Sequence, residues 1–178
     1  MAKSIPTLKS QDILILAKII VLEYPGGSLQ KELAESLGIS RPEVSNALKR
    51  LRSVGLLSDS GAHVKKLAAI EFFKHAVKFM FPIKYSGLDR GILAGPSADF
   101  VKEKVIYSDE VDLIWPDPSG KHRGLCVPPI YPTAVQAAKK DKKLYRLLTL
   151  IDLFRGLGST RHLQVGSVWL SEIIKGRS

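Results

Sequence analysis

Residues 28–57 read SLQKELAESLGISRPEVSNALKRLRSVGLL, and the fold is decided there. Leu29, Leu33 and Leu37 recur at four-residue spacing, so they stack along one face of a helix. Gly38 follows the last of them, suited to the left-handed position that ends a helix. Ile39 plugs the corner that follows. Ser40 and Glu43 have capping-box spacing, each side chain satisfying a backbone donor at a new helix start. Pro42 falls in the first turn, where its missing N–H costs nothing. In this second helix Val44, Ala47, Leu48 and Leu51 face inward. That leaves Arg41, Ser45, Asn46, Lys49, Arg50 and Arg52 for solvent or a partner.

Two short helices around a tight turn, the second basic on its exposed side, form the pattern that docks in a DNA major groove. The stretch resembles the core of MarR-type winged helix-turn-helix domains of bacterial transcription regulators. The matching positions are Leu33-Ala34, the Leu37-Gly38-Ile39-Ser40 turn, Val44-Ser45, Leu48, Leu51 and the closing Gly55-Leu56-Leu57. The resemblance implies a sequence-specific regulator of transcription that binds double-stranded DNA with a recognition helix over 41–54. Half-sites one helical turn apart need two such helices, hence a homodimer. Arg41, Ser45, Asn46 and Lys49 are placed to meet base edges, the cations favouring guanine and Asn46 adenine. Arg50, Arg52, Lys65 and Lys66, with Ser28, Gln30 and Lys31 of the preceding helix, suit phosphates.

Composition agrees with a polyanionic partner. The chain has 178 residues, 45% of them hydrophobic and 25% charged, with a net charge of +10. An excess of that size favours nucleic acid, although surface lysines that only keep a protein soluble produce the same sign. One cysteine, Cys126, excludes an intramolecular disulfide and a four-cysteine zinc site. It reads as a buried structural thiol and fits a reducing cytoplasm. The most apolar run, Ile13 to Leu22, is interrupted by Lys18 and falls short of the ~20 residues of a bilayer span. No signal-peptide core follows the start. The expected location is therefore cytoplasmic, with no membrane partner.

Outward from the motif, residues 8–23 predict a long helix, apolar around much of its surface and hence deep in the core. Pro25-Gly26-Gly27 turns it into the helix-turn-helix. After Leu56-Leu57, Ser58 to Gly61 offer the turn of a very short wing hairpin, or simply a loop, and His63, Lys65 and Lys66 lie at or just past its tip. Residues 64–80 predict a linking helix whose apolar stripe (Leu67, Ile70, Phe73, Val77, Met80, widened by Phe72, Ala76 and Phe79) must be covered by the chain or by a second copy. Pro82 closes it. The expected division is 1–82, a winged helix-turn-helix DNA-binding domain, and 83–178, a small α+β domain for dimerisation, partner or ligand binding. The fold class is mainly α, within α+β.

Residues 83–130 are rich in Gly and Pro between strand-like runs. Lys104 to Tyr107 and Val111 to Trp115 read as strands, and Lys121 to Val127 as a partner strand across the turn Pro116-Asp117-Pro118-Ser119-Gly120, giving a small hairpin or sheet. Asp109, Glu110 and Asp112 cluster locally, but their spacing, without histidine, suits solvated carboxylates better than a metal site. A short helix from Thr133 to Ala138 follows. Two closing helices come next, one capped by Asp141 with Leu144, Leu147, Leu148, Ile151 and Phe154 on its apolar face, the other capped by Ser159 or Thr160. Leu150, Ile151, Asp152, Arg155, Gly158 and Arg161 resemble the C-terminal part of a group of uncharacterised bacterial winged-helix proteins. The likeness extends to Trp115-Pro116-Asp117-Pro118 and Tyr131-Pro132, and it implies regulation and no further activity.

Enzymatic readings are weaker. Gly156-Leu157-Gly158-Ser159-Thr160-Arg161 could cradle an anion at a helix start, but a helix precedes it and no lysine follows, unlike a P-loop, so a helix–helix corner is favoured. No nucleophile elbow or zinc-binding histidine pair occurs, and His63, His75, His122 and His162 share no spacing. No catalytic residue, cofactor or metal is expected. The alternative to a DNA regulator is a winged-helix interaction module, such as an antitoxin, whose residues 83–178 grip a partner protein. A further possibility is that this half senses a small-molecule effector.

Overall fold

The computed structural model describes residues 7–22, 28–105 and 111–176. Its element order is mainly helical with one small sheet. Helix α1 (Ser10–Val21) is followed by α2 (Leu29–Leu37) and α3 (Arg41–Ser53). Next, α4 (Lys66–Glu71) runs through a π-helical turn, Phe72–Ala76, into α5 (Val77–Met80). Strand β1 (Leu88–Leu93), a 3-10 turn at Gly95–Ser97 and α6 (Asp99–Lys102) come next, then β2 (Leu113–Pro116) and β3 (His122–Cys126). The chain ends with α7 (Ala134–Lys140), α8 (Lys142–Asp152), a π-helical turn at Leu153–Leu157 and α9 (Thr160–Lys175). The mainly α, α+β class stands.

Helix α1 is the axis of the molecule. Every residue from Gln11 to Lys18 is buried, and the helix packs on α2, α3, α8 and α9. Burying Ile13, Leu14, Ile15 and Leu16 completely contributes about 1.5–3 kcal/mol for each side chain. Two charged residues are buried with them, and each is paired. Asp12 meets Arg50 of α3, while Lys18 Nζ lies 2.8 Å from the carboxylate of Asp141, which caps α8 through the Leu144 N–H. Burial pushes the Asp141 carboxyl up, but Lys18 and the backbone donors of the cap outweigh it and hold the group below its ordinary value. One helix thus ties the first half of the chain to the second. A continuous core runs from Leu8 through α1, α3, the π turn and α8 to Ile174. Pro82 begins the irregular stretch 82–87, and buried residues on both sides of it belong to this core.

The linking helix covers only part of its predicted stripe. Ala69, Ile70, Phe73 and Val77 are buried, whereas Leu67 is 72% exposed, Phe79 77% and Met80 40%. The π turn adds a residue to the helical repeat between Glu71 and Val77 and so displaces the later positions from the earlier face.

Of the two expected forms, a hairpin or a small sheet, the chain forms a small sheet. β1 pairs antiparallel with both other strands: Leu88–Gly91 with Leu125–His122, and Gly91–Leu93 with Pro116–Ile114. β2 and β3 meet each other in parallel at Leu113–Leu125 and Ile114–Cys126, closing a ring of three strands. The expected turn at 116–120 is present, but it joins two strands that both flank Gly91 instead of pairing with each other as a hairpin. Parallel neighbours normally need a crossover of a dozen or more residues. Here β1 curls about Gly91, and the loop has only to pass from one side of that residue to the other. Leu93, Ile114 and Cys126 fill the interior of the ring, and burial pushes the Cys126 thiol up from its ordinary pKa. Lys104 and Val105, read as the start of a strand, lie in a turn after α6. The remainder of that expected strand, with Asp109 and Glu110, falls outside the described residues; Asp112 is paired with Lys102.

Trp115 turns away from the ring into the main core. Its Nε1–H donates to Asp152 Oδ2 at 2.7 Å, and Arg155 Nη1 donates to Asp152 Oδ1 at 2.6 Å. Arg155 Nε also donates to the Phe81 carbonyl at 2.9 Å. One buried ion pair therefore joins a strand, a helix end and the segment leaving α5. Tyr145 packs edge-on against Trp115 and donates its hydroxyl to the Leu93 carbonyl; burial pushes its pKa up to about 12. Gly156 breaks the helix with φ at 130°, and Ser159 caps α9, accepting from the His162 N–H. The glycine-rich stretch is thus a corner between two helices, its cap occupied from within the chain.

Candidate nucleic-acid interface

The turn between α2 and α3 forms for the reasons visible in the sequence. Gly38 adopts φ 64°, ψ 37°, ending α2 in the left-handed conformation, and the Ile39 N–H returns to the Ala34 carbonyl. Ile39 is buried in the corner. Ser40 Oγ accepts from the Glu43 N–H at 3.4 Å, as expected, but the Glu43 carboxylate accepts from the Ser40 hydroxyl at 3.0 Å and not from the Ser40 N–H, so half of the expected capping box fixes the start of α3. Val44, Ala47, Leu48 and Leu51 are buried against α1 and α2. The periodicity of an α-helix then directs Arg41, Asn46 and Lys49 outward; all three are exposed, and Ser45 beside them is half-buried. Among the described residues none of the side chains of Arg41, Asn46 and Lys49 makes a hydrogen bond or an ion pair.

Arg50 is the exception on this helix. Expected on the solvent side as a phosphate ligand, it is turned inward and bound in fork geometry to the fully buried Asp12, with Nε 2.7 Å from Oδ2 and Nη2 2.6 Å from Oδ1. The Asp12 hydrogen bond raises the Arg50 pKa against the opposing effect of burial. Asp12 Oδ2 accepts from the Lys9 N–H as well, so the same carboxylate closes the first turn of α1. Arg50 fixes the seat of α3 on α1 and is not free for a ligand. Arg50→Met should lower stability in urea unfolding by about 3 kcal/mol, because it strands the fully buried Asp12 carboxylate with the Lys9 N–H as its remaining donor. The salt dependence of any DNA binding should stay unchanged, since no phosphate contact is lost.

Arg52 is half-buried and also engaged, donating Nε and Nη2 to the Gly61 carbonyl at 3.1 and 2.8 Å. That contact pins loop 58–63 to the end of α3. The loop is closed by a single antiparallel bridge, Leu57 to Val64, with the Ser58 N–H on the His63 carbonyl and the Lys65 N–H on the Leu56 carbonyl. His63 and Lys65 are exposed on its outgoing limb. Lys66 is exposed as well, with Nζ 3.1 Å from the Lys175 carbonyl at the end of α9. Ser28, Gln30 and Lys31 are exposed at the start of α2. The predicted residues thus divide into an open set (Arg41, Asn46, Lys49, Ser28, Gln30, Lys31, His63, Lys65), the half-buried Ser45, and a set engaged within the protein (Arg50, Arg52 and, by one donor, Lys66).

Sequence reasoning missed the Asp12–Arg50 pair. An aspartate within an apolar helix needs a cation, and α3 offered several at spacings that do not separate them. A second polar cluster also went unread. Asp117, almost fully buried, accepts from Lys139 Nζ at 2.6 Å and from the N–H and hydroxyl of Ser119 at 3.0 and 2.9 Å. Lys139 first, then Ser119, holds the Asp117 carboxyl below its ordinary range. Among the described residues, no group of three or more His, Cys, Asp or Glu side chains is arranged to hold a metal, and no helix is long and apolar enough to cross a membrane. Between α1, α8 and α9 an open cleft of about 720 Å³ is lined by Ile20, Val21, Arg146, Trp169 and Glu172, among others. Comparisons with protein-family models, with curated proteins and with solved structures each gave no match to this chain.

Proposed function

We propose that the protein is a sequence-specific, double-stranded-DNA-binding regulator of transcription that lays α3 in the major groove. The observation that carries this reading is the open side of α3. Arg41, Asn46 and Lys49 are exposed and uncommitted, while the opposite side of the helix is fixed on α1 and α2 by buried apolar residues and by Arg50. A rigid helix with free bidentate donors is what base-edge recognition requires. The α2–turn–α3 geometry and the Leu57–Val64 bridge support a winged helix-turn-helix of the MarR type with a wing reduced to one pair. Lys65, His63, Lys31, Gln30 and Ser28 would then position the duplex through phosphates. Two recognition helices imply a homodimer, and association would also cover the exposed Leu67, Phe79 and Val168. The expected location is the cytoplasm, with the duplex it reads.

The test is selection of bound fragments from a random duplex pool with the native protein and with Asn46→Ala. The native protein should enrich a defined sequence. The variant should lose discrimination at one base pair, by about 1–3 kcal/mol, with the other positions unchanged. An Asn46 variant that binds all sequences equally less well would overturn the assignment of base contacts to this helix. No enrichment by the native protein would overturn the function.

A further inference from the structure

A second charged surface lies outside the helix-turn-helix. In the register of β1 and β3, Arg90 stands directly opposite Arg123, and Leu88 directly opposite Leu125. Directly opposed residues of an antiparallel pair share a face of the sheet, and so do residues two apart along each strand. One face therefore carries two arginines beside two leucines. Arg90 and Arg123 are exposed, Leu88 is 68% exposed and Leu125 is half-buried. Like charges directly opposite each other destabilise a sheet. Among the described residues no carboxylate pairs with either guanidinium. Among the described acids of these strands and the residues next to them, Asp89 alternates to the other side and accepts from the Arg90 backbone N–H, Asp112 is held by Lys102, and Asp117 by Lys139. Lys121 is exposed just before β3, and Lys84 is exposed four residues ahead of β1.

We infer that this face of the sheet binds the phosphodiester backbone of nucleic acid. Two arginines whose backbones stand one strand spacing apart can present a pair of forks, and Arg forks match phosphate oxygens bidentately. An anion between them removes the repulsion that the folded chain otherwise carries. Leu88 and Leu125 offer an apolar floor on which sugar edges can rest. Nothing in the strand pairing selects a base, so the contact is one of backbone and adds affinity without sequence preference. This inference is independent of the major-groove reading of α3 and concerns a different part of the chain.

The experiment compares the full chain, Arg90→Gln/Arg123→Gln and Lys49→Ala by fluorescence anisotropy on a random-sequence duplex across a salt series, with poly-glutamate as a second probe. The double variant should lower the slope of log affinity against log salt by about 1.8, from about 0.9 for each phosphate contact removed. Its melting temperature should equal or exceed that of the native chain, because a like-charge pair has been removed. An unchanged slope overturns this inference and leaves the α3 reading intact if Lys49→Ala weakens binding. A slope lowered by the double variant upholds the sheet face whatever the effect of Lys49→Ala. Absence of duplex binding by the native chain overturns both. Tighter binding to poly-glutamate than to duplex, abolished in the double variant, replaces nucleic acid with an acidic protein as the occupant. A clear drop in melting temperature would show that the arginines serve the fold, and the inference would fall.

Discussion

Gly91→Ala should lower the stability of the protein by at least about 3 kcal/mol, or prevent the sheet from closing. A Cβ at Gly91 would run into the backbone carbonyl of Trp115 and also press on the Ile114 side chain. Overpacking against side chains typically costs about 1–3 kcal/mol because rotamers give way. Here the principal obstacle is main chain, fixed by the β1–β2 register at Gly91–Pro116 and Ile92–Trp115, so relief requires β2 to move. The opposing effect is small: exchanging Gly for Ala where no strain results stabilises by only about 0.4–1 kcal/mol, through the unfolded chain. The collision wins. Gly120 and Gly124 face the same constraint, against the Gly91 backbone and the Asp112 carbonyl, so three glycines let three backbones close on one another. Gly55→Ala is the control. Its φ is 77° but no atom lies within 4 Å of the added carbon, so only the left-handed strain of about 1–2 kcal/mol remains. Urea unfolding of both variants checks the order, and a Gly91→Ala chain as stable as Gly55→Ala would refute it.

Helices α2 and α3 and the turn between them were legible because their signals are local and repeat one another. The capping pair Ser40–Glu43, Gly38 at the left-handed stop and the four-residue spacing of leucines each call for the same geometry within fourteen positions or fewer. The burial of α1 could be read from its breadth of apolar residues. What could not be read was the use of charge. Asp12 with Arg50, Lys18 with Asp141 and Asp117 with Lys139 join residues 38, 123 and 22 positions apart, and nothing local distinguishes Arg50 from Arg52 or Lys49. The sheet was legible as strands and turn but not as a topology. Pairing followed the turn in the sequence reading, whereas in the structure the bend of β1 at Gly91 places both strands on it. The contact of Trp115 and Arg155 with Asp152 could not be read either, since Trp115 lies 37 positions from Asp152 and nothing local pairs them.

That contact supports the second large effect. Arg155→Met should cost about 4 kcal/mol near neutral pH, because breaking a buried pair strands a charge that the core cannot solvate. Asp152 would keep only the Trp115 donor, and the Phe81 carbonyl would lose the Arg155 N–H. The penalty should depend on pH. Burial pushes the Asp152 carboxyl up, and Arg155 and Trp115 pull it down without overcoming burial. A carboxyl raised above its unfolded value favours folding below that unfolded value, and this contribution is lost as pH rises through the folded value. Without Arg155 the folded value climbs further, so the variant can protonate Asp152 at a pH where the native pair stays charged. Its deficit should therefore shrink as the pH falls from neutral toward the carboxylate range, the reverse of ordinary acid destabilisation. Asp152→Leu with Arg155→Met should recover about 1–3 kcal/mol of the loss, since an apolar replacement of a buried pair is often neutral but the Trp115 N–H is left without an acceptor at a cost of about 1–3 kcal/mol. Chemical denaturation of both variants at two pH values reads all three terms, and a deficit that grows on acidification would show that Asp152 is not the charge left behind.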